Sequence, residues 1–331
     1  MSYGAQVKIG IARQLNTGSY VSAAGSFHQF AFLSDDIGAE FSEVISENLI
    51  GRFEQGASYP GPQNVAGTLT FELTPRNIGA ALAATVNHSP SSVSSGSIRT
   101  VTFLPTTADF DSTLVKSPFS VYKQFTDSTS AELFYDAQFA QMQLTLSQGA
   151  LTRGSVTVVG GKRLPTGIGS LAVIPVAADV TRHFPWNVAS ISWNGTGVSN
   201  MSELTISLND PIQPLYAINN SLEPSKFARS GFREVTVNGT IYFNDRVLFN
   251  DTTTGTQRRL IITLINTRTA IQSGYYDTLQ IDIPQVLLTE MKPSVSGPGE
   301  QSVSFTGRAT LDPSSNYAIQ FILVNTWTAG Y

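Results

Sequence analysis

The chain contains no cysteine, so disulfides and thiolate metal sites are excluded, and the redox compartment leaves no mark on it. It has three histidines in 331 residues, His28, His88 and His183, and none has a partner at metal-ligand spacing. Charged residues make up 13%, where about a quarter is usual for a soluble domain. There is no run of about 18 apolar residues long enough to cross a bilayer. The stretch from Met1 to Gly10 lacks a basic region followed by an apolar core, so no signal peptide is expected. Net charge is −4, and the only tight basic clusters are Lys162-Arg163 and Arg258-Arg259. A specific nucleic-acid binder needs a basic face, which this composition does not supply.

Catalytic patterns are missing as well. No Gly-x-Ser-x-Gly elbow occurs. Gly297-Pro298-Gly299 and Gly167-Ile168-Gly169 lack the helix and the Lys-Ser/Thr pair that a phosphate loop requires. The closest acidic pairs, Asp35-Asp36 and Asp109/Asp111, stand in turn-like sequence, where carboxylates serve local hydrogen bonding. The histidines read as surface or loop imidazoles. No catalytic, cofactor-binding or metal-binding residue is assigned, and the chain is not expected to be an enzyme.

Strand periodicity dominates what remains. Apolar residues alternate in Val65, Gly67, Leu69, Phe71, Leu73; in Met142, Leu144, Leu146; in Val156, Val158; in Leu279, Ile281, Ile283; in Val303, Phe305; and in Ile319, Phe321, Leu323. Period two places each set on one sheet face. Leu260 to Ile265 is apolar on both faces apart from Thr263, the pattern of a central strand covered on both sides. One helix is expected after Thr74-Pro75, a cap residue followed by proline at the first helical position, with Ile78, Ala81, Leu82 and Val86 on one face. A Ser-rich loop is expected over His88 to Ser97. Tyr275-Tyr276, Trp327 and Tyr331 are candidate interface anchors, with ordinary packing the equal alternative.

Three words recur in the same order in each half. Val65-x-Gly-Thr-Leu-x-Phe71 is matched by Val237-x-Gly-Thr-Ile-x-Phe243, Ser155-Val156 to Gly160 by Ser302-Val303 to Gly307, and Ser42-Glu43-Val44 by Ser202-Glu203-Leu204. A tandem duplication follows, with one β unit over 1–160, a joint over 161–186 rich in Gly and Pro, and a second unit over 187–331. Leu171 to Val176 within the joint is apolar and is expected to lie in a groove.

Residues Gly56 to Val86, with a Pro-rich turn, a Gly-containing strand and a helix opening on proline, resemble the signature of phage major tail tube proteins of long non-contractile tails. Pro118 to Phe125, Glu132 to Leu146, Leu279 to Val286 and Ser302 to Gly307 are similar to the paired and closing strands of that unit. The second half departs after Phe243, where Asn244 to Phe249 leaves room only for a helical turn. The resemblance implies an all-β fold with minor helix: two tandem β-sandwich or barrel units, each with at most one short flanking helix. It implies homo-oligomeric stacked rings around a channel, three chains giving pseudo-sixfold symmetry. DNA would pass without specific binding, other tail proteins would close the tube ends, and no cofactor is needed. The location would be the virion tail, assembled in the host cytoplasm. Either the arms at Met1 to Ser22 and Ser315 to Tyr331 or a hairpin loop would reach the next ring. Lumen-facing strands would carry more Asp and Glu than Lys and Arg, since an acidic wall does not hold a polyanion. The alternatives are another virion β protein, such as a decoration or receptor-binding module, which calls for clustered exposed aromatics, and a carbohydrate-acting enzyme, which calls for convergent carboxylates.

Overall fold

A computed structural model describes residues 7–23, 26–47, 56–86, 90–105, 117–125, 131–164, 182–242, 247–291 and 301–326. The expectations placed on His88, Asp109/Asp111, Leu171 to Val176, Gly297 to Gly299, Trp327 and Tyr331 lie outside them.

The described chain is nearly all strand. The first half carries β1 (Lys8–Arg13), β2 (His28–Phe30), β3 (Ser34–Asp35), β4 (Gly38–Ile45) and β5 (Ser58–Glu72), then helix α1 (Pro75–Thr85). It continues with β6 (Ser91–Ser95), β7 (Ile98–Phe103), β8 (Phe119–Gln124), β9 (Ala131–Ala137), β10 (Phe139–Ser147), β11 (Arg153–Val159) and β12 (Lys162–Arg163). The second half has β13 (Ala189–Trp193), β14 (Thr196–Gly197), β15 (Met201–Asn209), β16 (Ile212–Leu215), β17 (Lys226–Arg229) and β18 (Glu234–Tyr242), then helix α2 (Val247–Thr254). It closes with β19 (Gln257–Gln272), β20 (Tyr275–Met291), β21 (Ser302–Ala309) and β22 (Gln320–Asn325).

The pairings form one 15-stranded sheet through both halves, a five-stranded sheet β12-β9-β8-β1-β2, and the separate hairpin β16-β17. No closed barrel arises from the pairings among the described residues, so that part of the expected fold is corrected to open sheets. The cause lies in the ends of the large sheet, which stop at the short strands β14 and β3 instead of meeting. The expected Ser-rich loop is in part a strand, β6, hydrogen-bonded to β7 over Ser91 to Ser95.

The two helices occupy the same place in the chain order, α1 directly after β5 and α2 directly after β18. Thr74 caps α1: its hydroxyl accepts from the Asn77 N–H at 3.2 Å, and Pro75 supplies the fixed first-turn φ. Every residue of α1 except Arg76 is buried, as expected for a helix apolar around its circumference. α2 spans eight residues and begins five positions after Tyr242, later than the helical turn expected near Asn244.

Part of the pairing recurs: β5 lies between β11 and β4 as β18 lies between β21 and β15. In the first half β1 pairs β8, β8 pairs β9, β9 pairs β12, β10 pairs β11, β11 pairs β5, and β5 pairs β3 and β4. In the second half β13 pairs β19, β19 pairs β20, β20 pairs β22 and β21, β21 pairs β18, and β18 pairs β15. Register recurs too. Gly67 faces Val158 and Leu69 faces Val156, as Gly239 faces Phe305 and Ile241 faces Val303. Thr68 and Thr157 touch through their hydroxyls at 3.1 Å, and Thr240 and Ser304 do so at 3.3 Å. Thus the first two repeated words pair with each other in both halves. The third does not keep step: Glu203 faces Thr240, whereas Glu43 faces Pro60, well before Thr68.

One buried apolar cluster runs from Ile9 to Leu323 and draws on both halves. The halves meet where β10 pairs β15 over seven residues, from Gln141 opposite Asn209 to Ser147 opposite Glu203. Met142, Leu144 and Leu146 lie against Leu208, Ile206 and Leu204 there, all six buried. A second junction pairs β22 with β7. The end of the joint is anchored: the Phe184 carbonyl accepts from Thr152 N–H at 2.9 Å, and Phe184 is fully buried.

Two expectations need amendment. Leu260 to Ile265 is central in the sheet, but only Leu260, Ile262 and Leu264 are buried; Ile261 is half-buried and Ile265 exposed. A strand paired on both edges still has two faces, and only one meets the core here. Met1 to Ser22 is no free arm from residue 7 on. β1 is held between β2 and β8, and the Gly18 and Val21 N–H groups donate to Asp136 and Ser120. Residues 320–325 are likewise bound, as β22.

Candidate assembly surface

The carboxylates are used internally. Asp35 accepts from the Ile37 N–H at 3.1 Å and pairs with Lys123, while Asp36 accepts from the Thr68 N–H. These contacts hold the break between β3 and β4 against β5, the local role expected for the Asp35-Asp36 pair. Asp136 has φ +55° near the end of β9 and receives Gly18 N–H at 2.8 Å, Gln14 Nε2 at 3.2 Å and Lys162 at 3.2 Å. It fixes the bend that sends β9 into the smaller sheet and β10 into the larger.

The second half repeats this use of buried acid. Asp210 takes Arg229 in a two-point contact at 2.7 and 2.8 Å and Arg233 at 3.5 Å. Asp282 takes Arg259 at 2.8 and 2.6 Å and the Tyr317 hydroxyl at 2.8 Å. Burial, followed by that bond to Asp282, pushes the Tyr317 phenol up to about 12. Asp251 lies in a cavity of about 290 Å³ beside Trp193 and Asn200, where Trp193 Nε1 at 3.2 Å and Arg258 at 3.1 Å already engage it. A buried acid bound by guanidinium groups is a structural tie, since its lone pairs are occupied. Among the described residues no group of three His, Asp or Glu could hold a metal ion.

Of the described histidines, His183 lies in a loop as expected and His28 does not. His28 sits in β2, edge-on to Phe30 at 5.2 Å between ring centres. Burial, then the Arg76 charge, lowers its pKa to about 4, although a bond with Asn77 opposes the shift. His183 Nε2 lies 3.4 Å from a Glu72 oxygen where the joint meets the first half.

Among the edges and arms that the described strands leave open are β4 and the β16-β17 hairpin. Among the described residues β4 pairs only with β5, and it exposes Phe41 and Val44, with Tyr59 exposed on the neighbouring strand. The β16-β17 hairpin exposes Ile218 at its tip, with Phe232 exposed just after it. Tyr216 Oη donates to the Gln63 carbonyl at 3.1 Å, so the arm leans on β5. Of the expected anchors, Tyr275 is exposed at the start of β20 and Tyr276 is half-buried. Sequence reasoning missed Phe41, Val44, Ile218 and Phe232. Single apolar residues among polar ones are read as ordinary surface unless strand pairing is known.

No curated protein matches the chain. A family model described as phage tail tube protein matches residues 4–309 of the 331, a span that holds both helices and the β10–β15 junction and stops before β22. On that match, together with the all-β architecture, this chain belongs to the phage tail tube protein family.

Proposed function

We propose that the chain is a doubled tube subunit: three copies close into a pseudo-sixfold ring, and the rings stack around a channel through which the phage genome passes. The two units are residues 1–160 and 187–331, joined by 161–186. The observation that supports this reading is the recurrence of register, with a Gly-Thr strand set the same way against a closing strand in each half. Two units joined through β10 and β15 already make one inter-unit contact, and a head-to-tail contact of that kind generates a ring when its rotation closes. Low charge supports it, because the centres of ring and stacking contacts are depleted in charged residues. The role is structural, in the virion tail after assembly in the host cytoplasm, with other tail proteins at the tube ends and DNA sliding past an acid-rich wall.

Electron microscopy and sedimentation of the purified chain test this. Rings of three chains with a sixfold outline, alone or stacked into tubes, are the expected result. A protein that stays monomeric at its highest soluble concentration, or rings whose lumen is lined mainly by Lys and Arg, would count against it.

A further inference from the structure

The junction inside the chain identifies a vacant counterpart on its surface. Aligning the halves on Val65-x-Gly-Thr and Val237-x-Gly-Thr makes β4 the counterpart of β15, because each flanks the Gly-Thr strand on the edge away from the closing strand. Val235 lies two residues before Val237 and faces Leu208; Gln63 lies two before Val65 and faces Phe41. Phe41 therefore occupies the position of Leu208, and Ala39, opposite Val65, that of Ile206.

The two sites differ in what covers them. The outer edge of β15 is paired along its length by β10, with Leu208 opposite Met142 and only 2% exposed. The outer edge of β4 has no strand against it among the described residues, and Phe41 is 64% exposed. A free strand edge carrying an outward aromatic residue and a valine is a template for pairing, and folded proteins usually blunt such edges. Here Glu40 and Glu43 are the only charges along β4.

We infer that the outer edge of β4 is the seat for the second repeat of a neighbouring copy of this chain, which covers Phe41 as β10 covers Leu208. The contact is head-to-tail, so it uses different surfaces on the two chains and repeats around the ring. This rests on the reading of the chain as a doubled ring subunit and adds which edge each subunit offers.

The test compares the wild type with Phe41→Lys, which puts a charge on the edge, and with Phe41→Cys. Because the chain has no cysteine, Phe41→Cys carries the single thiol. The wild type is expected to form rings. Phe41→Lys should remain a monomer with the wild-type circular dichroism and unfolding midpoint. In Phe41→Cys the thiol should react with a maleimide in dissociated chains and be protected in rings. If Phe41→Lys assembles like the wild type, or the thiol reacts equally fast in rings, the β4 edge is not the seat although the ring reading stands. If the wild type forms no rings, both fall. Should Phe41→Lys fail to fold, thiol protection decides.

Discussion

His28 and Gly67 each hold a place that few other residues could take. The imidazole of His28 is kept neutral by burial beside Phe30 and by the Arg76 charge, with a folded pKa of about 4 against an ordinary value of 6.5. Between those two values the unfolded chain takes up a proton and the folded chain does not, so stability falls as pH drops through this window. Above pH 6.5 neither state binds the proton and the effect vanishes. From pH 7 to 5 the loss should be about 2 kcal/mol. Urea unfolding of wild type and His28→Gln at both pH values checks it, and an equal pH dependence in the two would refute the assignment. Gly67 has φ +141°, and an added Cβ would lie 2.5 Å from Ile37 Cα and 2.6 Å from the Asp36 carbonyl oxygen. Both obstacles are backbone at the break between β3 and β4, so they cannot swing aside. Gly67→Ala should cost about 3 kcal/mol, from strain and overlap together. A midpoint within experimental error of the wild type would show that the break relaxes freely.

At the scale of elements, β15 binds the halves. Its Thr205 faces Thr145 of β10 on one side and Asn238 of β18 on the other. A proline there removes a ladder donor and puts its ring against the strand on that edge, in a strand paired on both sides. Thr205→Pro should therefore lower stability by about 3 kcal/mol or more, read by chemical denaturation. A loss under about 1 kcal/mol would mean that β15 is not structurally central. The helices have a different standing. α1 is capped by Thr74 and buried along nearly its whole length, so it is part of the core. α2 is shorter, follows β18 in the same order, and lies against β20. Their sequence signals differ accordingly: Thr74-Pro75 announces α1 plainly, whereas no proline or capping pair announces α2.

For the whole molecule, closure depends on one rotation. If the contact across β10 and β15 is repeated between chains at the β4 edge, each repeat turns by the same angle relative to the last. A turn that closes after six repeats gives a ring of three chains, one that closes after another number gives a ring of another size, and one that does not close gives an open helical filament. A ring in the electron microscope would thus be a direct reading of the geometry at a junction that every chain carries. Burying Phe41 in that contact also removes the largest apolar side chain on the β4 edge from water, which favours the assembled state.

The linear chain alone determined the class of the fold, several of its long strands, the first helix and the lack of thiol chemistry. Period-two alternation and a Thr-Pro cap are local signals, and they act before any long-range contact forms. It also carried the repeated words, two of which keep register and one of which, Ser42-Glu43-Val44, does not. Tertiary structure alone decided which strand lies beside which. That includes a core cluster spanning both halves, the open ends of the large sheet, and the break at Asp36-Ile37 that requires a glycine at 67. It also decided that Leu208 is covered and Phe41 is not. Pairing between residues more than sixty positions apart depends on the free energy of the assembled sheet, and no local pattern along the chain encodes it.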